Sequence, residues 1–147
     1  MVAQGILFVV IAAAGLWDGS HQGAGGSWGP IAMSLGVVAV VLGGALATWA
    51  VWILGARLSP FPRPVPGAPL IQSGAYRLIR HPIYSGLILA AIGWGLATSS
   101  LLAIGAAFLL FALFAGKSHV EEASLRTALP EYAAYEARTK RFIPWVY

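Results

Sequence analysis

Three short stretches of this chain hold most of the side chains able to do chemistry. One reads Tyr76-Arg77-Leu78-Ile79-Arg80-His81-Pro82-Ile83-Tyr84-Ser85-Gly86, and another Lys117-Ser118-His119-Val120-Glu121-Glu122-Ala123-Ser124-Leu125. The third runs from Glu131-Tyr132-Ala133-Ala134-Tyr135-Glu136-Ala137-Arg138 to Arg141-Phe142-Ile143-Pro144. Pro82 suits the first turn of a helix, which sets Arg80 and His81 beside an N-terminus whose unpaired N–H groups favour an anionic ligand group. Glu121 and Glu122 bring the opposite charge. A site furnished with both signs suits a zwitterion such as an amino-acid moiety. Each residue alone has a plainer role. Arg77 and Arg80 serve as membrane-edge cations and Tyr76 and Tyr84 as interfacial belt residues. Glu122 and Arg126 make a weak i,i+4 surface pair, and Arg138, Lys140 and Arg141 meet anionic headgroups. Together these roles leave unexplained an Arg-His-Pro at the opening of a short helical hairpin and a Glu-Glu at its close.

The elements that carry these stretches are apolar. Of 147 residues, 59% are hydrophobic and 10% charged, against about 25% charged in an ordinary soluble domain; mean hydropathy is +0.78. That composition argues against a soluble enzyme or a nucleic-acid-binding module. The net charge of +4, nine Lys and Arg against five Asp and Glu, reflects scarce acids more than a basic patch. With no cysteine, disulfides, thiolate metal sites and thiol nucleophiles are excluded, and no metal is expected.

Apolar runs at residues 2–17, 31–58, 83–97 and 101–116 predict an all-α integral membrane protein with about four transmembrane helices. The first run is short for a span. Ala12-Ala13-Ala14 resembles a cleavage site, but no Lys or Arg precedes it, which argues against a cleaved signal. Only Thr98-Ser99-Ser100 separates the last two runs, so they form an antiparallel hairpin. Small residues at Gly86, Ala90, Gly93 and Ala97, and at Gly105, Ala112 and Gly116, are expected to let the hairpin pack closely. The chain reads as a single membrane domain, residues 1–147: two N-terminal spans over 1–58, a proline-rich connector over 59–69 with extended polyproline geometry, and a core over 70–147 that ends in a cytoplasmic helical segment. All basic residues fall in two segments, Arg57 to Arg80 and Lys117 to Arg141. Four spans put both on one side, which the positive-inside rule makes cytoplasmic. No Asp, Glu, Lys, Arg or His lies centrally in any run, which lowers a transporter reading.

Gly74-x-Tyr76-Arg77-x-x-Arg80-His81-Pro82-x-Tyr84-x-Gly86, then Glu121-Glu122-x-x-Leu125, then Tyr132-x-x-Tyr135 and Phe142-Ile143-Pro144 resemble the isoprenylcysteine carboxyl methyltransferase family, which belongs with the membrane phospholipid methyltransferases. The resemblance covers about half the chain and departs from the family pattern at Leu129-Pro130 and Thr139-Lys140. It implies S-adenosylmethionine as methyl donor, held by Tyr76, Arg77, Arg80, His81, Pro82, Tyr84, Gly86, Glu121 and Glu122. It also implies a lipophilic or amphipathic acceptor drawn from the bilayer, a carboxylate first. Glu122 is expected to take the donor's amino group with support from Glu121, Arg80 or Arg77 to face a carboxylate, and Arg138 to orient the acceptor; Arg80, Arg138 and Glu122 are the candidate catalytic residues. The rival reading is a non-enzymatic membrane scaffold with a basic cytoplasmic face.

Reporter fusions after residue 66 and after residue 147 are expected to report the cytoplasm and a fusion near residue 25 the opposite side. Fusions at 25 and 66 reporting one side would contradict the four-span reading.

Overall fold

The computed structural model describes residues 2–22, 27–55 and 70–146. Arg57, Arg63 and the whole proline-rich connector over 59–69 lie outside the described residues. The elements are α1 (Val2–Gln22), α2 (Gly29–Leu54), a 3-10 turn (Gly74–Arg77), α3 (Pro82–Ala97), α4 (Leu101–Ala128) and α5 (Tyr132–Arg138). The protein is all-helical among the described residues, apart from one isolated parallel bridge between Ile79 and Lys140. Helices α1, α2 and α4 are long and apolar enough to cross a membrane, and α3 is an apolar helix of shorter length.

Helix ends follow local chemistry. Helix α1 extends past the expected Trp17 because Ser20 Oγ donates to the Trp17 carbonyl at 2.8 Å and His21 Nδ1 lies 2.7 Å from it; the run expected to be short for a span is thus 21 residues long. Helix α2 stops at Leu54, where Gly55 takes a left-handed φ of 54°, the usual glycine terminator. Pro82 opens α3 as its first residue. Ser100 caps α4, its hydroxyl accepting from Ala103 N–H at 3.1 Å. Helix α4 continues without a break past the apolar run that ends at Gly116 and reaches Ala128, 28 residues in all. The stretch beyond Gly116 is rich in Glu, Ala, Leu and Arg, all strong helix formers, and it buries Ser118 and Glu122 one turn apart.

Two compact units divide the chain, Met1–Ala45 with Gly86–Leu113, and Leu46–Ser85 with Phe114–Tyr147. In the first, many large apolar side chains face outward, among them Val9, Leu16, Leu35, Val38, Val41, Leu102 and Phe108, as lipid-facing helices do, and small residues sit at the contacts. The α3 stripe packs against α2, not against its hairpin partner. A Cβ on Gly36 would meet the Ala97 and Gly93 backbone, and one on Gly43 the Gly86 carbonyl and Ala90. The stripe expected on α4 makes no such contact: around Gly105 and Gly116 a Cβ would meet nothing within 4 Å. The hairpin instead joins Gly95 to Ile104.

In the second unit, Gly74 adopts φ 57° and sits against Ile53, leaving no room for a Cβ. Tyr76 then reaches back to α2, its hydroxyl donating to the Ala50 carbonyl at 3.4 Å. Burial, with the nearby Glu121 charge, pushes that phenol up to about 12, so it stays a donor. Tyr135 of α5 donates to the Tyr76 carbonyl at 2.7 Å.

Gly36→Ala is expected to cost ~1–3 kcal/mol, since backbone on α3 cannot yield to the new methyl, whereas Gly105→Ala is expected to be neutral or slightly stabilising. Thermal denaturation of both variants in detergent checks the contrast.

Candidate active site

The site lies in the second unit and grows from a backbone pairing. Arg80 N–H donates to the Lys140 carbonyl at 2.8 Å, Lys140 N–H to Leu78 at 3.2 Å and His81 N–H to Arg141 at 3.1 Å. Ser85 Oγ adds a bond to the Phe142 carbonyl at 2.7 Å. The segment after α5 is thereby laid along the entry to α3. This brings Arg80, His81 and Arg141 to the polar half of α4.

There Glu122 is fully buried. Its Oε1 accepts from Arg80 Nε at 2.8 Å, with His81 Nε2 and Arg141 Nε each at 3.2 Å. Its Oε2 accepts from Arg141 Nη2 at 2.6 Å. Arg80 Nη1 donates to the Thr139 carbonyl at 2.6 Å and the Glu136 carbonyl at 3.3 Å, and its Nη2 stands 3.9 Å from Glu136 Oε1. Arg141 Nη1 lies 2.8 Å from His119 Nε2. Two guanidiniums, one half-buried and one buried, thus face one fully buried carboxylate.

Glu121 serves a second group. Its Oε1 accepts from the Tyr84 hydroxyl at 2.7 Å, and its Oε2 stands 3.5 Å from His81 Nδ1. The His81 and Tyr84 rings stack at 5.4 Å, Tyr84 stacks on Phe114 at 4.3 Å, and Lys117 sits 5.3 Å from the Tyr84 ring centre. Both nitrogens of His81 therefore face carboxylates. On α5, Glu136 is clamped by Arg126 through two bonds of 2.8 and 2.6 Å, which hold its carboxyl below the usual range. The Tyr132 hydroxyl is buried without a hydrogen-bond partner among the described residues.

A cavity of about 310 Å³ opens beside the cluster, lined by Arg80, Glu136, Ala137, Thr139, Lys140, Arg141 and Val146. Its wall carries three cations and one carboxylate.

Of the residues expected from the sequence, Arg80, His81, Tyr84, Glu121 and Glu122 come together, with Pro82 starting the helix that carries Tyr84. Tyr76 lies buried beneath the 3-10 turn and Arg77 is exposed. Gly86 lies on the α3 stripe facing Gly43. Arg138 faces outward to the Gln72 side-chain oxygen and does not line the cavity. Glu122, the residue expected to take a ligand's amino group, has its oxygens within hydrogen-bond distance of four nitrogens of Arg80, His81 and Arg141. Arg141 and Glu136 carry more of the site than the sequence indicates. The backbone pairing that delivers Arg141 spans too few residues to leave a period-2 pattern.

Removing one member of a buried ion cluster costs ~3–5 kcal/mol, so Glu122→Ala is expected to lower thermal stability in detergent by that order. Arg126→Gln removes an exposed guanidinium that clamps Glu136 and stands 3.7 Å from Glu122 Oε2, and is expected to shift it little.

Residues 31–131 match the family model described as phospholipid methyltransferase. The chain is 33% identical over 127 residues to the cobalt-zinc-cadmium resistance protein CzcN of Cupriavidus metallidurans, a match that takes in 84% of this chain and 55% of that protein. Its fold is similar to a solved eukaryotic intramembrane Ras methyltransferase, an isoprenylcysteine carboxyl methyltransferase, with a TM-score of 0.74, 19% identity and coverage of 99% of this chain and 52% of that one. The chain therefore spans about half the length of both.

Proposed function

This chain belongs to the phospholipid methyltransferase family, and on that premise we propose that it is an S-adenosylmethionine-dependent membrane methyltransferase. Its acceptor would be lipophilic or amphipathic, with a carboxylate as the first choice, and the site would face the cytoplasm. The observation that carries this reading is the cavity walled by Arg80, Lys140, Arg141 and Glu136 beside the buried Glu122 cluster. Charges of both signs on one small concave wall fit the amino-acid end of S-adenosylmethionine. When bound, that group supplies an activated methyl on a good leaving group.

The protein's own share is then binding, orientation and exclusion of water. Arg80 is fixed by Glu122 and two carbonyls, and Arg141 by Glu122 and His119, so they meet an anionic group without further ordering. His81 and Tyr84, locked in a stack over Phe114, shape the neighbouring surface. Arg138, on the outer side of α5, is the residue we assign to orient an acceptor carboxylate. Such an acceptor needs no general base, because it carries no proton to remove at neutral pH. Three apolar helices support an integral membrane protein. A fourth crossing by the shorter α3 would put both basic segments on the cytoplasmic side.

Calorimetric titration of the detergent-purified protein with S-adenosylmethionine is expected to show saturable binding. Arg80→Lys should weaken it roughly 10–100-fold, because an ammonium cannot reproduce the fork that grips Glu122 and two carbonyls. Arg138→Ala should leave donor affinity near wild type and depress turnover, with Arg138→Lys recovering part of the rate. Absence of donor binding by the wild-type protein would favour the non-enzymatic scaffold.

A further inference from the structure

Two carboxylates compete for the role of holding the donor's ammonium group, and they differ in what is left to offer. Glu122 is fully buried, and its oxygens already take Arg80 Nε, His81 Nε2, Arg141 Nε and Arg141 Nη2. A carboxylate has about four lone-pair sites, so Glu122 is saturated and lies behind the cavity wall. Glu136 is the acidic side chain among the cavity-lining residues. It is about a quarter exposed, and Arg80 Nη2 stands 3.9 Å from its Oε1, beyond hydrogen-bond reach; Arg126 uses one site on each of its oxygens, leaving roughly half its hydrogen-bonding capacity open. The cations, Arg80, Lys140 and Arg141, make up the rest of the charged wall.

We propose that Glu136 binds the ammonium of the donor's amino-acid moiety, with its carboxylate turned toward Arg80, Lys140 and Arg141. This rests on the donor reading above and fixes the direction in which the zwitterion lies. Glu122 then acts as a positioning residue that holds Arg80 and Arg141 in place. Glu136 gains its aim from α5 and its steadiness from Arg126, whose two bonds keep it ionised and fixed.

The test pairs each protein with two probes, S-adenosylmethionine and its analogue lacking the α-amino group, with equilibrium binding as the readout. The wild-type protein should prefer S-adenosylmethionine roughly 10–100-fold, the worth of a charge-assisted hydrogen bond. Glu136→Gln should bind the two probes alike, with the loss confined to S-adenosylmethionine. Arg126→Gln, which frees Glu136 without removing it, should retain the preference. Should Glu136→Gln not fold, Glu136→Asp serves instead, and withdrawing the carboxylate by one methylene should shrink the preference. A wild-type preference kept in the folded Gln variant, or kept in full by Asp, overturns the assignment. So does an equal loss of both probes, which marks a purely structural role. If the wild type binds S-adenosylmethionine without discriminating, Glu136 is eliminated while the donor reading survives; if it binds neither probe, the donor reading falls and takes this assignment with it.

Discussion

A single buried carboxylate sets the terms for the polar unit. Glu122 sits at zero exposure in a helix whose first half is apolar, and an uncompensated charge there would cost several kcal/mol. Its compensation comes from residues 42 positions before it and 19 after it. The fold must therefore bring the entry to α3 and the segment beyond α5 to one place on α4. The parallel pairing of residues 78–81 with 140–141, the Tyr135 bond to the Tyr76 carbonyl and the Ser85 bond to the Phe142 carbonyl all serve that convergence. Two guanidiniums meet the one Glu122 carboxylate, and both also line the cavity.

The two compact units answer to different physics. The first has its large apolar side chains outward and its glycines and alanines at helix contacts, as expected where lipid replaces water and close packing must supply the cohesion. The second is held by a dense set of ion pairs and backbone–side-chain bonds. Such networks strengthen one another in a low-dielectric setting and lose heavily when one member is missing.

Much of this was legible in the residues. The apolar runs, Pro82 at the start of α3 and the three-residue hairpin gave the helices, because each rests on a local signal of composition or backbone geometry. The meeting of Arg80 and His81 with Glu121 and Glu122 followed from the hairpin. Three things were not legible. The partner of the α3 stripe is α2, since a stripe of small residues states that something packs closely without naming what. The polar half of α4 continues the helix, since charge ends a hydrophobic run but does not end a helix built of Glu, Ala and Arg. Arg141 becomes the main partner of Glu122, and Glu136 reaches the cavity, through tertiary placement by a two-residue bridge and a seven-residue helix, neither of which has enough length to show a period.

The same guanidiniums that face the cavity also neutralise Glu122, and this constrains how such a protein can diverge. A substitution at Arg80 or Arg141 that altered ligand preference would at once expose the cluster to a folding penalty, so those positions are poorly placed to explore new substrates. Glu136, Ala137, Lys140 and Val146 line the cavity without touching that carboxylate. Substitutions along α5 and the segment after it can therefore reshape the cavity wall while the Arg80–Glu122–Arg141 centre stays intact.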